Sequence, residues 1–73
     1  MSYDYSKLAG RITEKYCTQA KFAEAMNLSE RTISLKLNGK IDWKQAEIKK
    51  ACDLLGIGVM KIPAYFFTTK VQD

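Results

Sequence analysis

The sequence predicts an all-α fold, a compact five-helix bundle. Three observations point to it. Apolar residues recur at helical spacing along most of the chain, good capping residues stand where those stretches begin and end, and breakers are few, with one Pro and four Gly in 73 residues. A chain of this length has room for one core, so residues 1–73 are expected to form a single domain. Such a core buries only about 60% of the extended chain's surface, so tight helix packing or a partner subunit must contribute to stability.

Tyr5, Leu8, Ala9, Ile12 and Tyr16 form one stripe of an amphipathic first helix, with Asp4 placed as its N-cap. Thr18 can cap a second helix that buries Phe22, Ala23 and Met26. Met26-Asn27-Leu28-Ser29 then interrupts the period. Asn tolerates the left-handed conformation at a helix end and Ser29 is a good N-cap, so the two helices flanking this break are expected to form a tight helix-turn-helix over residues 18–38. The third helix runs from about Glu30 to Leu37, turns Ile33 and Leu37 toward the second, and stops at Asn38-Gly39.

The fourth helix opens with Asp42 as N-cap, Gln45 at N3 of a capping box, and Ile41 and Ala46 as a hydrophobic staple. Its buried stripe is Ile48, Ala51, Cys52 and Leu55, and Gly56 closes it. Val59 to Tyr65 is expected as a short fifth helix, restricted by Pro63. The aromatic and β-branched tail, residues 66–73, suits extended backbone that returns to its own core or packs on a second subunit.

Several function classes are disfavoured. There is no His, hence none of the commonest general base, and Asp42 and Glu47 read as structural acids rather than a catalytic pair, so no enzyme is expected. Cys17 and Cys52 are far apart and without His, which makes a zinc site or any other cofactor a poor expectation; in a reducing compartment both are free thiols. No apolar run approaches the length that spans a bilayer, and the first residues lack a signal peptide's apolar stretch. The expectation is a cytoplasmic protein, without membrane or small-molecule ligand.

The net charge of +4 is informative once located. Residues 1–30 and 51–73 are each balanced, and the whole excess lies in 31–50, where Arg31, Lys36, Lys40, Lys44, Lys49 and Lys50 face only Asp42 and Glu47. A localised basic stretch is what a phosphate-binding surface needs, because each neutralised phosphate releases condensed counterions.

The segment TQAKFAEAMNLSERTISLKLNGK, residues 18–40, resembles the helix-turn-helix of the lambda-repressor-like (Cro/repressor, XRE) family. The resemblance is carried by Thr18-Gln19 opening the second helix, Ala23 at the crossing point, Ser29 capping the third, Thr32-Ile33, and the closing Asn38-Gly39-Lys40. The chain departs from the family in having Asn27 where Gly is usual, and Lys36 and Leu37 where an apolar and a polar residue are usual. As a whole it looks like small phage or prophage regulators of Gram-positive bacteria.

The resemblance implies a transcriptional regulator, Cro-like or a repressor. It would bind double-stranded operator DNA as a homodimer, with two recognition helices about 34 Å apart. On a recognition helix with the expected faces, Arg31 suits guanine, Ser34 can donate or accept, Leu35 can touch a thymine methyl, Glu30 can accept from cytosine, and Asn38 completes the base-reading set. Gln19 matches the family position that holds a phosphate. Thr18, Ser29, Thr32, Lys36, Lys40, Trp43 and Lys44 are the further candidates for the DNA backbone. A rival of another class is a protein-binding antirepressor or antitoxin module that grips its partner through the apolar C-terminal tail.

Overall fold

The computed structural model describes residues 3–69. Five α-helices follow one another: α1 (Ser6–Tyr16), α2 (Gln19–Met26), α3 (Glu30–Leu37), α4 (Gln45–Leu55) and α5 (Ile62–Phe66), the last preceded by a 3₁₀ turn, Val59–Lys61. The predicted stripes meet in one core: Leu8 and Ile12 of α1, Phe22, Ala23 and Met26 of α2, Ile33 of α3, Ala51, Cys52 and Leu55 of α4, with Tyr5, Ile57 and Phe66 closing it. No helix among the described residues is long and apolar enough to cross a membrane.

The helix ends explain the path between α2 and α3. Thr18 Oγ1 accepts from Lys21 N–H at 3.2 Å and Ser29 Oγ from Thr32 N–H at 3.1 Å, each satisfying a donor the helix start leaves unpaired. Asn27 is left-handed, φ 61°, and the N–H groups of Asn27 and Leu28 return to Glu24 and Ala23 carbonyls at 3.0 and 2.9 Å. This double closure ends α2 and turns the chain straight into α3. Gly39, φ 75°, closes α3 in the same way, with Gly39 N–H on Lys36 O and Lys40 N–H on Leu35 O.

Four details depart from the sequence reading. Asp4 does accept from Ser6 N–H and Ser6 Oγ, at 2.9 and 2.6 Å, but it stands one residue upstream of the cap position, which Tyr5 holds because its ring belongs to the core. Helix α4 starts later than expected: Lys44 is the cap residue, and Glu47 at N3 accepts Lys44 N–H at 2.8 Å. Asp42 therefore does not cap it, and Ile41 and Ala46 are exposed and form no staple. The reason is Trp43, whose ring packs edge-on against Phe66 (5.3 Å between centroids) and draws residues 40–44 out of helical register.

Helix α3 packs Ile33 and the half-buried Leu37 on the core as expected, but Lys36 is buried beside them. The tail differs too. Phe66 is the buried last residue of α5, and residues 67–69 run back along the chain's start, with Asp4 N–H on Thr68 O at 2.7 Å and an antiparallel bridge between Tyr3 and Thr69. As far as residue 69 the tail thus packs on its own domain; residues 70–73 lie outside the described residues.

Candidate functional site

Two surfaces are candidates: the outer face of α3, and an apolar groove between α4 and the 3₁₀ turn. On α3, Glu30 and Arg31 are exposed at the N-terminal end, and Asn38 is exposed at the other, while Ser34 and Leu35 between them are half-buried. The Asn38 amide donates to Ser34 O at 2.8 Å, so one of its two amide donors already serves the helix end. Gln19 is exposed at the start of α2, and Lys40 and Lys44 are exposed beyond α3. Thr18, Ser29 and Thr32 are tied into caps; Ser29 Oγ and Thr32 Oγ1 also share a 2.8 Å hydrogen bond.

Two expected backbone contacts are overturned. Lys36 is 2% exposed, with Nζ 2.7 Å from Glu47 Oε1, 2.8 Å from Asp42 O and 5.7 Å from the centre of the Trp43 ring. A lysine held by a carboxylate, a carbonyl and a ring inside the protein has no reach to a phosphate. It occupies the site where the resemblance placed an apolar residue, and its long stem fills that space while Glu47 neutralises its head. Burial pushes the Glu47 carboxyl up, but the hydrogen bonds from Lys36 and Lys44 N–H and the charge of both lysines outweigh it and hold the group below its ordinary value. Trp43 is a packing residue, set against Tyr5, Phe66 and Lys36, and its indole N–H is buried, so it offers no donor to a nucleic acid.

The basic stretch is accordingly thinner than its composition. Lys36 is internal, Lys50 Nζ reaches Met26 O at the end of α2 at 3.4 Å, and Lys49 lies 3.7 Å from Asp53. Arg31, Lys40 and Lys44 remain exposed.

The groove was not foreseen. Its floor and walls are Trp43, Ile48, Cys52, Ile57, Ile62 and Phe67, and it encloses an open space of about 950 Å³. On its lip Val59 is 80% exposed, the adjoining Met60 is 91% exposed, and Phe67 is half-exposed. Two neighbouring apolar side chains thus stand almost wholly in water beside an apolar groove, which makes this surface a candidate for interaction. The sequence signal was present in Val59-Met60 after Gly58, two apolar residues that extend no helical stripe, but counting Val59 as the start of a helix hid it.

Comparison with known proteins gives two findings. Residues 1–69 match the family described as Protein of unknown function (DUF739). The chain is also similar to a protein solved in solution, the modulator of repression (MOR) of the temperate bacteriophage TP901-1 from Lactococcus lactis: 60% identity over 99% of this chain and 97% of that one, with a TM-score of 0.81. No curated protein matches the sequence.

Proposed function

The chain belongs to the DUF739 family, and on that premise we propose that it is a phage-type modulator of repression that acts by gripping a repressor protein. The observation that carries this reading is the apolar surface around Val59, Met60 and Phe67. A protein partner can cover such side chains and gain from removing them from water, whereas a duplex, whose outer surface is mostly phosphate and sugar, covers them poorly. The similar phage protein is a modulator of repression, which supports the same class of role. The burial of Lys36 supports it further, since it weakens the phosphate-directed surface that the alternative requires.

The test is a gel-retardation titration with the TP901-1 repressor and its operator. Adding the chain is expected to change the amount or mobility of the repressor–operator complex, while the chain alone leaves the duplex unshifted at 150 mM salt, a concentration at roughly which the Debye length is 8 Å. A repressor–operator complex indifferent to saturating chain would refute the reading.

A second reading is operator binding by the chain itself through α3, as the lambda-repressor-like resemblance implies. What favours it is Arg31, exposed at the second position of α3, on a helix pair joined by the turn such a motif uses. In this reading Glu30, Arg31, Ser34, Leu35 and Asn38 face the bases, Gln19, Lys40 and Lys44 take phosphates, and a homodimer spans a palindromic site.

A further inference from the structure

We propose that the groove between α4 and the 3₁₀ turn receives an apolar helical segment of the repressor flanked by carboxylates. This rests on the protein-directed reading above and adds where the partner sits and what chemistry it carries. The argument begins with the shape. Ile48, Cys52 and Ile62 line it while buried or half-buried, and Val59 and Phe67 line it while exposed, so it can accept apolar side chains from an insert. An amphipathic helix laying apolar anchors into such a groove is a recurring way for proteins to recognise one another.

The charge around the rim selects among possible occupants. Lys44 and Lys61, each adjoining a lining residue, are exposed, and Lys49 lines the groove itself. Against them stands Asp53, also a lining residue, whose pair with Lys49 is solvent-exposed on both sides and therefore weak enough to open for a partner. Of the nearby acids, Glu47 is turned to Lys36, while Asp42, exposed and adjoining the lining Trp43, adds a second acid to the rim against the three lysines. The rim is net basic. A second copy of the chain would bring the same lysines face to face, a repulsive arrangement, while carboxylates flanking an inserted helix would meet them favourably. A duplex keeps its apolar groups inside its grooves and has no side chain to insert into the floor, and an anionic bilayer would meet the lip alone.

The experiment measures binding of the full chain to the TP901-1 repressor by titration calorimetry. Ala46→Arg fills the groove from an exposed position of α4, and Val59→Asp alters a side chain already in solvent, so it covers the case in which the arginine disturbs the helix. Each is expected to weaken binding by about tenfold or more, and the double reversal Lys44→Glu with Lys61→Glu by a similar factor, while Arg31→Ala stays within about twofold. Groove variants that bind as tightly as the parent overturn the location, and an indifferent double reversal overturns the acidic flank; both leave the protein-directed reading standing. A parent chain that does not bind the repressor overturns both. Anionic phosphatidylglycerol vesicles and sedimentation of the chain alone run in parallel; if Ala46→Arg abolishes either of those associations and not repressor binding, the occupant is a membrane or a second copy and the proposal fails.

Discussion

Lys36 Nζ lies 2.7 Å from Glu47 Oε1, a contact that joins the last turn of α3 to the first turn of α4 and stands over the Trp43 ring. The two partners are not equally enclosed: the Lys36 side chain is 3% exposed and that of Glu47 17%. Removing one partner of a buried pair leaves the other charge uncompensated, at a cost of about 3–5 kcal/mol, whereas a well-packed apolar replacement can be neutral. Glu47→Ala, which strands the enclosed ammonium, is therefore expected to cost about 3 kcal/mol or more. Lys36→Met keeps the stem's volume and leaves a carboxylate that water can still reach, and should cost less than half as much. Urea unfolding of both variants checks the order; equal losses would contradict the asymmetry.

The same pair sets the acid limit of stability. The Glu47 carboxyl titrates below its ordinary value of 4.5, since its hydrogen bonds and neighbouring lysines overcome the upward push of burial. A group whose folded value is depressed contributes stability that is fully present above its unfolded value and lost as pH falls through the folded one. The urea midpoint should hold from neutral pH to about 5 and then fall below pH 4.5. Glu47→Gln should flatten that part of the curve relative to the parent, measured at matched ionic strength.

These two residues also mark where the sequence was legible and where it was not. The caps at Thr18 and Ser29, the left-handed turn at Asn27 and the close of α4 at Gly56 were readable because each depends on a few neighbouring residues. The start of α4 was not. Asp42 and Gln45 are a good local signature, but Trp43 finds Phe66, more than twenty positions away, and that contact overrides it. The burial of Lys36 was missed for a similar reason, since a lysine reads as surface unless its carboxylate on another helix is known. The outward positions of Arg31, Lys40 and Lys44 followed from local pattern, whereas the groove is assembled from α4, Ile57 and α5 and has no signature of its own in the chain.

Asn27 offers a test of the turn between α2 and α3. At φ 61° and ψ 39° it holds a conformation that Asn tolerates, Gly adopts freely and Ala resists. Asn27→Ala is expected to cost about 1 kcal/mol and lower the melting temperature by about 4–8 °C, while Asn27→Gly should change it little. Circular-dichroism melts distinguish the two; equal effects would mean that the Asn side chain, and not the backbone, holds the turn.

The cysteines should separate by reactivity. Cys17 is exposed at the end of α1, while Cys52 is buried in the core, and burial followed by the charge of Asp53 raises its thiol. The thiolate is the reacting form, so Cys52 is protected twice, by access and by protonation. With an aromatic disulfide reagent at pH 8, one thiol per chain is expected to react at once and the second, reachable only through the groove and protonated, far more slowly. Cys17→Ser should remove the fast phase alone.

Salt dependence decides whether the lysine correction holds in any association with DNA. Each phosphate contact contributes about 0.9 to the slope of log K against log salt for a duplex. Lys40 is exposed and Lys36 is enclosed by Glu47, Asp42 O and Trp43. If the chain binds duplex through α3, Lys40→Ala should therefore lower the slope by about 0.9, and Lys36→Met should leave it unchanged. Binding to a duplex fragment across a range of potassium chloride concentrations provides both slopes. An equal drop for the two variants would mean that Lys36 abandons Glu47 on the duplex and that α3 turns to expose it; the buried pair would then be a feature of the free protein only.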